Sequence, residues 1–423
     1  MHKLSLGALV AAGLLAGGLT SGSASAADLG GDCCADLEER VAELEATTAR
    51  KGNRKVSLTV SGWVGQQVMF WDDGVESNTY VTDLGTTLGS HFKFTGQAQI
   101  SSEWSAGYVL HIEAISNDSL GVSQNVSDTG GSVLGNSTQL LQSYWFLKSE
   151  RLGKLSVGQQ SQASDNAAIL VDGSGSLVPA NWVGFDVNSF FVRDSSGALT
   201  SVTWGNAAFT CAGMGGVWGD CNGLTTNSVR YDTPVFGGFS ASASWGEDDF
   251  WDVAIRYAGE FSGVKIAGTA AYNEVTDAGM GALDNETLRY FQAGLYLQHV
   301  PTGLFVLGNY GYLDSNSFNG EAETWYAKAG WRTRFNSLGH TVFYGEYLNN
   351  EGSGSFVNFD PLGDGSAFAS SSELDVWGLG VVQEIDAAAM SVWVKYRNLE
   401  YDDNSGVGYD DFHYVGAGAL ISF

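Results

Sequence analysis

Cationic side chains in this chain alternate with apolar ones. Arg230 stands between Val229 and Tyr231, and Arg256 follows the same pattern. Successive residues of a β-strand point to opposite faces, so this spacing places the cations on one face of a strand and the apolar side chains on the other. Cations on a polar face can shape the electric field of a water-filled cavity. The basic candidates chosen in this way are Arg230, Arg256, Arg332, Arg334, Lys148 and Arg397.

Acidic side chains that could face these cations lie in a long segment, residues 163–225. Asp165 and Asp172 stand near the point where this segment leaves the preceding predicted strand. Opposed charges across a narrow passage create a transverse field, which orients dipolar solutes and sets an ion preference. We therefore predict Asp165 and Asp172 as the acidic side of such a passage. The alternative is that they are ordinary solvated carboxylates and that the cations merely avoid an apolar environment.

The composition indicates that β-strands position these residues. The 423 residues include 57 glycines but only 4 prolines, and 12% are aromatic. Proline removes a donor from the β-ladder, so its scarcity suits many paired strands. The net charge of −27 argues against nucleic acid as a partner. A secreted β-sandwich or β-helix is the soluble alternative.

The first residues predict export. Residues 1–26 combine a short basic start, an apolar stretch and the small residues Ala24, Ser25 and Ala26, as in a secretory signal peptide. No later segment holds the roughly 18 apolar residues that a membrane-spanning helix needs. A membrane protein without such helices must be a closed barrel, because backbone groups in lipid need partners within the protein.

Residues 55–423 contain sixteen segments with a period of two. The predicted strands are roughly 55–71, 91–103, 106–116, 139–150, 154–162, 226–235, 238–246, 251–260, 263–273, 287–299, 303–313, 323–335, 340–349, 373–385, 389–399 and 411–423. Short turns alternate with longer loops, such as 72–90, which is typical of an outer-membrane barrel with periplasmic turns. We predict an all-β fold, a 16-stranded antiparallel transmembrane β-barrel with an open aqueous lumen.

The two ends of the mature chain carry assembly signals. In residues 27–54, Leu37, Val41 and Leu44 have coiled-coil spacing, which predicts a short periplasmic helix that needs an oligomer for support, and a trimeric coiled coil is one interpretation. The seam is too short to fix the number of helices by its own residues. The alternative is a solvated amphipathic helix or linker, because so short a helix is marginal alone. The last predicted strand ends on Phe423. A terminal aromatic residue on such a strand resembles the end of Gram-negative outer-membrane barrels, which implies a role of Phe423 in barrel insertion.

The four cysteines fall into two pairs. Cys211 and Cys221 lie in a polar, glycine-rich stretch, and in an exported protein they are expected to form a loop disulfide. Cys33 and Cys34 are adjacent; they could pair with each other or cross-link subunits, and the sequence leaves both possibilities open. No histidine cluster accompanies these cysteines, so we expect no metal site and no cofactor.

Several stretches resemble the porins of alphaproteobacteria. They are CCADLEERVAELE at 33–45, VSLTVSGWV at 56–64, SYWFLK at 143–148, GKLSVGQQ at 153–160, and SVRYDTPVFGGFSASASWGEDD at 228–249. Together with Phe423 they cover nearly all of the mature chain in the order found in that family. The resemblance implies a 16-stranded trimeric diffusion pore. It also implies that the third outer loop, here 163–225, folds inward and narrows the channel.

The sequence therefore predicts passive diffusion of small hydrophilic solutes and ions through a homotrimer in the outer membrane, in contact with lipid and lipopolysaccharide. One alternative is a channel selective for a sugar, an amino acid or an organic ion. Another is a structural tether that contacts peptidoglycan through its N-terminal helix. An enzyme built on a barrel is disfavoured, because no nucleophile motif stands beside any histidine.

Overall fold

A computed structural model describes residues 55–133, 135–207, 225–246, 249–276, 287–315, 320–353 and 360–423. The strands, in chain order, are β1 (Thr59–Asp72), β2 (Ser77–Asp83), β3 (Ser90–Gln99), β4 (Trp104–Ala114), β5 (Thr138–Ser149), β6 (Gly153–Gln160), β7 (Phe191–Arg193), β8 (Leu199–Thr203), β9 (Thr226–Asp232), β10 (Phe239–Gly246), β11 (Trp251–Phe261), β12 (Val264–Val275), β13 (Leu288–His299), β14 (Leu304–Ser315), β15 (Gly320–Thr333), β16 (Thr341–Ser353), β17 (Ser371–Ile385), β18 (Met390–Asp403) and β19 (Phe412–Ser422). In these ranges no helix is both long and apolar enough to cross a membrane.

The strands form a closed antiparallel barrel. From β3 to β6 and from β9 to β19 each strand pairs with the next along the chain, and β6 pairs with β9. The barrel closes where β19 pairs with β1, from Trp63 opposite Ser422 to Asp72 opposite His413. Backbone hydrogen bonds of 3.0 Å in both directions between Gly62 and Phe423 extend this seam. The sixteen predicted strands are confirmed, with bounds that differ by a few residues.

The predicted loop 72–90 contains an additional strand. β2 pairs with one half of β1, from Gln66 opposite Asp83, and β3 pairs with the other half, from Trp63 opposite His91. β2 and β3 thus occupy one position in the wall, so the described part of the chain forms sixteen strand positions. The connecting residues between them leave the wall, and Leu84 and Leu88 join the interior core.

The outer wall is apolar, as the alternation predicts. Exposed side chains such as Val64, Ile255, Trp325 and Leu379 stand on the outward face of their strands. An apolar outer band of this kind is the surface that a transmembrane barrel presents to lipid. The short connections, such as residues 262–263 between β11 and β12, lie at one end of the barrel. The start of β1 and the end of β19 lie at the same end. This end faces the periplasm in outer-membrane barrels.

The third loop follows β6 and lies inside the barrel. Its described part holds a 3-10 helix (Ile169–Val171), an α-helix (Leu177–Asn181), a second 3-10 helix (Val183–Asp186), the β7–β8 hairpin and a final short helix (Trp204–Ala207). Residues 208–224, with the predicted disulfide Cys211–Cys221, lie outside the described residues. So do residues 1–54, with the predicted signal peptide and the coiled-coil positions Leu37, Val41 and Leu44.

An apolar core holds this loop against one side of the inner wall. The ring centroid of Phe190 lies 5.2 Å from that of Trp71 on β1 and 5.0 Å from that of Phe412 on β19. Phe185 and Trp204 of the loop belong to the same core. The third loop therefore covers most of the inner face of β1 and of β14 to β19. The open part of the lumen lies on the other side of the loop, beside the opposite strands.

Candidate pore site

A buried ion pair fixes the middle of the third loop. Lys328 Nζ on β15 lies 2.5 Å from Asp172 Oδ2, and both side chains are fully buried. The same ammonium group donates to Ser176 Oγ at 3.0 Å and to Asn181 Oδ1 at 2.7 Å. Each of its three hydrogens therefore has an acceptor, which offsets much of the cost of removing the charge from water.

Asp186 forms a second attachment of the loop. Lys395 Nζ on β18 lies 2.6 Å from Asp186 Oδ2, and the hydroxyl of Tyr414 on β19 donates to the same oxygen at 2.6 Å. Gln67 Nε2 on β1 donates to Oδ1. Burial opposes ionisation of Asp186, but the charges of Lys395 and Arg397 outweigh it and hold the pKa of this carboxyl below its usual range. Asp186 thus ties the loop to both sides of the barrel seam.

Arg397 is the third attachment, on β18. It is fully buried, and its Nε donates to Glu346 Oε1 on β16 at 2.7 Å. Its terminal nitrogens donate to the carbonyl oxygens of Pro179 and Val183, each at 3.3 Å, and to that of Ala180. The predicted pore residue Arg397 therefore lies behind the loop and holds its backbone, instead of facing water.

The first part of the loop is bound to the wall through neutral and acidic groups. Ser164 donates from its backbone nitrogen at 2.6 Å and from its hydroxyl at 2.7 Å to Asp252 Oδ2 on β11. Gln292 on β13 accepts from the backbone nitrogen of Ala168 at 2.7 Å and donates to the carbonyl of Ser164 at 2.9 Å. The backbone of the loop thus follows the wall from β11 to β13.

Asp165 lies in this first part and is buried. Its Oδ1 accepts from Asn166 Nδ2 at 2.6 Å. Burial raises the pKa of the Asp165 carboxyl to about 7, although hydrogen bonds from Ser161 and Asn166 and the charge of Arg230 act in the opposite direction. The charge of Asp165 therefore changes around neutral pH.

The far end of the loop is attached to the outer loops. Arg193 Nε lies 2.7 Å from Asp73 Oδ2, and the Phe191 nitrogen donates to Gln124 Oε1 at 2.9 Å. Burial would raise the pKa of Asp73, but hydrogen bonds from the Glu76 nitrogen, Gln124 and Arg193 hold it below its usual range. Asp73 is therefore a stable anionic partner for Arg193.

Two predicted basic residues lie on the open side of the lumen, beside the start of the third loop. Arg230 Nη1 donates to the carbonyl of Gln162 at 3.0 Å, and its Nη2 lies 2.7 Å from Asp232 Oδ1. Arg256 Nη1 donates to Ser242 Oγ at 3.0 Å. Both side chains are half-buried on the inward face of their strands. The structure therefore brings Arg230 and Arg256 together near Asp165.

The remaining predicted cations lie toward the periplasmic end. Arg332 pairs with Glu384 at 2.8 Å, near the ends of β15 and β17. Arg334 follows the end of β15 and pairs with Asp386 at 2.5 Å in a connecting turn, with about half of each side chain exposed. This places Arg334 outside the narrowed region.

The structure also differs from the predicted arrangement, in which an acidic loop faces a basic wall across a water-filled passage. Asp172 points toward the wall and pairs with Lys328, while Lys148, near the end of β5, pairs with the exposed Glu150 at 3.0 Å. The predicted basic and acidic sets are thus not two opposed rows. Asp172 and Arg397 instead take part in the attachments of the loop, together with Lys328, Lys395, Asp186 and Glu346. One sequence signal for such a residue is a charged side chain between apolar inward neighbours, as Glu346 lies between Tyr344 and Leu348 on the inner face of β16.

The described residues contain no group of three or more His, Cys, Asp or Glu side chains arranged to hold a metal ion. The site consists of a wide barrel, an interior loop that buried charges hold in place, and an open side of the lumen lined by polar residues such as Arg230 and Arg256. Such an arrangement confines a water-filled passage, because sixteen strands alone would leave a much wider lumen.

The comparisons with known proteins agree with this architecture. A sequence profile of the Gram-negative porin family matches residues 8–404. The chain belongs to this family, and its place is the outer membrane. Among curated proteins none matches.

Solved structures of porins share the fold. The anion-selective porin from Comamonas acidovorans has a TM-score of 0.58 at 14% identity, over 87% of this chain and 100% of that chain. The high-pH structure of Pseudomonas putida OprB has a TM-score of 0.58 at 11% identity, over 92% and 97%. Salmonella typhi OmpF, in complex with daunomycin, has a TM-score of 0.54 at 15% identity, over 88% and 99%. At such identities the likeness concerns the fold.

Proposed function

We propose that this porin forms a water-filled channel through which small hydrophilic solutes and ions diffuse passively. The observation that carries this proposal is the third loop, held inside the barrel by the buried pairs of Lys328 with Asp172 and Lys395 with Asp186. A loop bound in this way narrows the lumen to a fixed width, instead of closing and opening with thermal motion. The half-buried cations of the opposite sector keep the remaining passage polar.

Planar-bilayer recording tests the proposal. Purified protein should insert in steps of uniform conductance that rises in proportion to salt concentration, as expected for diffusion through water. Conductance that saturates at low concentration of one solute would favour the alternative of a substrate-selective channel. Folded protein that produces no conductance would contradict the proposal.

The finer features of the family resemblance belong to the same proposal. We infer a general diffusion porin of the alphaproteobacterial type, with residues 1–26 as signal peptide and 27–54 as a periplasmic helix. Leu37, Val41 and Leu44 would support a homotrimer, and Cys211 and Cys221 would close a disulfide in the third loop. Outer-membrane lipid and lipopolysaccharide would surround the barrel, and the helix would contact peptidoglycan. No enzymatic activity is part of the proposal.

A further inference from the structure

Two histidines of the inner wall lie in contact, away from the attachments of the third loop. His91 lies on β3 and His111 on the neighbouring β4. They are diagonal neighbours in the register of these strands, where His91 stands opposite Glu113 and His111 opposite Lys93. Their ring centroids are 4.2 Å apart, with 58° between the ring planes. Only 7% of His91 and 6% of His111 are exposed, so the two imidazoles are packed together with little access to bulk water.

A backbone carbonyl fixes the orientation of the His91 ring. Its Nδ1 lies 3.1 Å from the carbonyl oxygen of Gly89. Because a carbonyl oxygen can only accept a hydrogen bond, Nδ1 carries the proton of the neutral ring, and Nε2 presents a lone pair. The ring of Trp63 packs edge-on against His91, with centroids 4.1 Å apart. Histidines that bind metal ions show the same arrangement, in which one ring nitrogen donates to the protein and the other is left for the metal.

His111 lacks a polar partner in the protein. Neither of its ring nitrogens makes a hydrogen bond within the described part of the chain, although both atoms are buried. Buried polar atoms of this kind are rare in native proteins, because they lose their bonds to water and gain none in return. A ligand that takes up the lone pair of one ring nitrogen would offset this loss. The unpartnered ring of His111 therefore points to a bound ligand.

The charges beside the pair are balanced. Lys93 brings one positive charge, directly opposite His111. Glu113, which is fully buried, brings a negative one directly opposite His91. Three donors point at its carboxylate oxygens, namely the backbone nitrogens of Gly89 and Thr87 and Nε2 of Gln139, at 2.7, 3.1 and 2.7 Å. The histidines thus lie beside opposite charges that offset one another, and a cation at the pair would not meet an isolated ammonium group.

The separation of the rings suits one metal ion bound by both. Two imidazoles that bind a metal at a right angle, through bonds of about 2.1 Å, have ring centroids about 4.5 Å apart. The observed separation of 4.2 Å is close to this value. The described residues offer no group of three or more such ligands, so water would fill the remaining coordination positions. Imidazole nitrogens favour copper, nickel and zinc, and Cu(II) binds them most tightly, whereas calcium and magnesium prefer oxygen ligands.

We propose that His91 and His111 form a binding site for a transition-metal ion, with Cu(II) bound more tightly than Ni(II) or Zn(II). This inference goes beyond the proposed diffusion function and does not depend on it, because the site needs only the folded wall at β3 and β4. The absence of a histidine cluster beside the cysteines does not bear on this pair. Only the pairing of the two strands brings these histidines together.

Titration of copper(II) chloride into the full mature protein in detergent tests the proposal. At less than one copper ion per chain, the electron paramagnetic resonance spectrum should show coupling to two imidazole nitrogens. His91→Gln and His111→Gln should each reduce this coupling to one nitrogen. Each should also weaken copper binding in calorimetry by about 10- to 100-fold, since losing a ligand costs at least as much as losing a residue that orients one. The second variant keeps the test decisive where the first fails to fold.

The matched control is His299→Gln, which removes a histidine at the end of β13, where Nδ1 lies 2.8 Å from Thr302 Oγ1. This control should leave the spectrum and the copper affinity unchanged. A wild-type spectrum without two coupled nitrogens would overturn the metal site, as would unchanged copper affinity in folded His91→Gln and His111→Gln. Folded protein that binds copper but forms no channels would instead overturn the proposed diffusion function and leave the metal site in place.

Discussion

Lys328 and Asp172 lie 156 residues apart in the chain, yet their charged atoms are 2.5 Å apart and closed off from water. This pair joins the middle of the third loop to β15. A buried charge that loses its partner is costly, whereas the intact pair is close to neutral for stability. The pair therefore serves to fix one position of the loop.

We expect Lys328→Met alone to destabilise the attachment of the loop by about 3–5 kcal/mol, because Asp172 would be left buried without a counter-charge. Thermal unfolding and single-channel current noise measure the effect. The double change Lys328→Met with Asp172→Leu should restore most of the stability.

The exposed pair of Arg334 and Asp386 provides the matched control for this experiment. Arg334→Gln should cost about 0–1 kcal/mol, since both partners are about half exposed. Equal losses in Lys328→Met and Arg334→Gln would show that burial of the first pair does not matter.

The charge of Asp165 should make the channel respond to pH near neutrality. Its folded pKa of about 7 lies above its ordinary value of 3.8, so the folded loop prefers the protonated form. The stability of the loop should therefore decline as pH rises from about 4 to 7 and level off above that range. Ionisation also adds a negative charge near Arg230, so the permeability of the channel to anions relative to cations should decrease between pH 6 and pH 8.

Recordings of reversal potential and current noise at pH 6 and pH 8 measure both effects. Asp165→Asn should remove the pH response. Asp194→Asn is the control, because hydrogen bonds from Ser196 and Ala198 hold the pKa of Asp194 below its usual range and it is ionised throughout. A pH response that persists in Asp165→Asn would contradict the assignment.

Phe423 should affect assembly and leave conduction unaltered. Its backbone closes the seam with Gly62, while its side chain is 60% exposed and lies at the periplasmic end of the barrel. Phe423→Ser should keep the backbone bonds but reduce the yield of folded protein in outer membranes. The single-channel conductance of the assembled fraction should equal that of the wild type, and a changed conductance would show that the ring shapes the passage.

Deleting residues 35–50 distinguishes the function of a diffusion channel from that of a structural tether. The deletion removes Leu37, Val41 and Leu44 but no residue of the barrel, so conductance per channel should be unchanged. We expect trimers to dissociate at a lower temperature in semi-native gel electrophoresis. A variant that assembles normally but conducts nothing would place the helix in the channel itself.

The barrel could be predicted from the sequence because each strand has a local sequence pattern that indicates it. The period of two, the turn residues and the alternation of connection lengths are local features, and they located all sixteen strands to within a few residues. β2 was missed because the chain leaves the wall after it and β3 then continues the same wall position. No local sequence pattern indicates that one strand position is divided in this way.

The interior arrangement of the third loop could not be predicted in the same way. Strand parity correctly placed Arg230 and Arg256 on the inward face, but it could not tell which inward cations would meet water. That distinction depends on contacts between distant parts of the chain, such as Arg397 with Ala180. An inward face can be lined by water or covered by a loop, and the sequence of the strand is compatible with either.

The contacts of Phe190 have a consequence for the seam of the barrel. Its ring packs between Trp71 of the first strand and Phe412 of the last. A loop that contacts both strands holds the seam together from the inside, and the closed seam in turn provides the surface on which the loop packs. Closure of the barrel and placement of the loop should therefore stabilise one another, so that a misplaced loop weakens the pairing of the first and last strands.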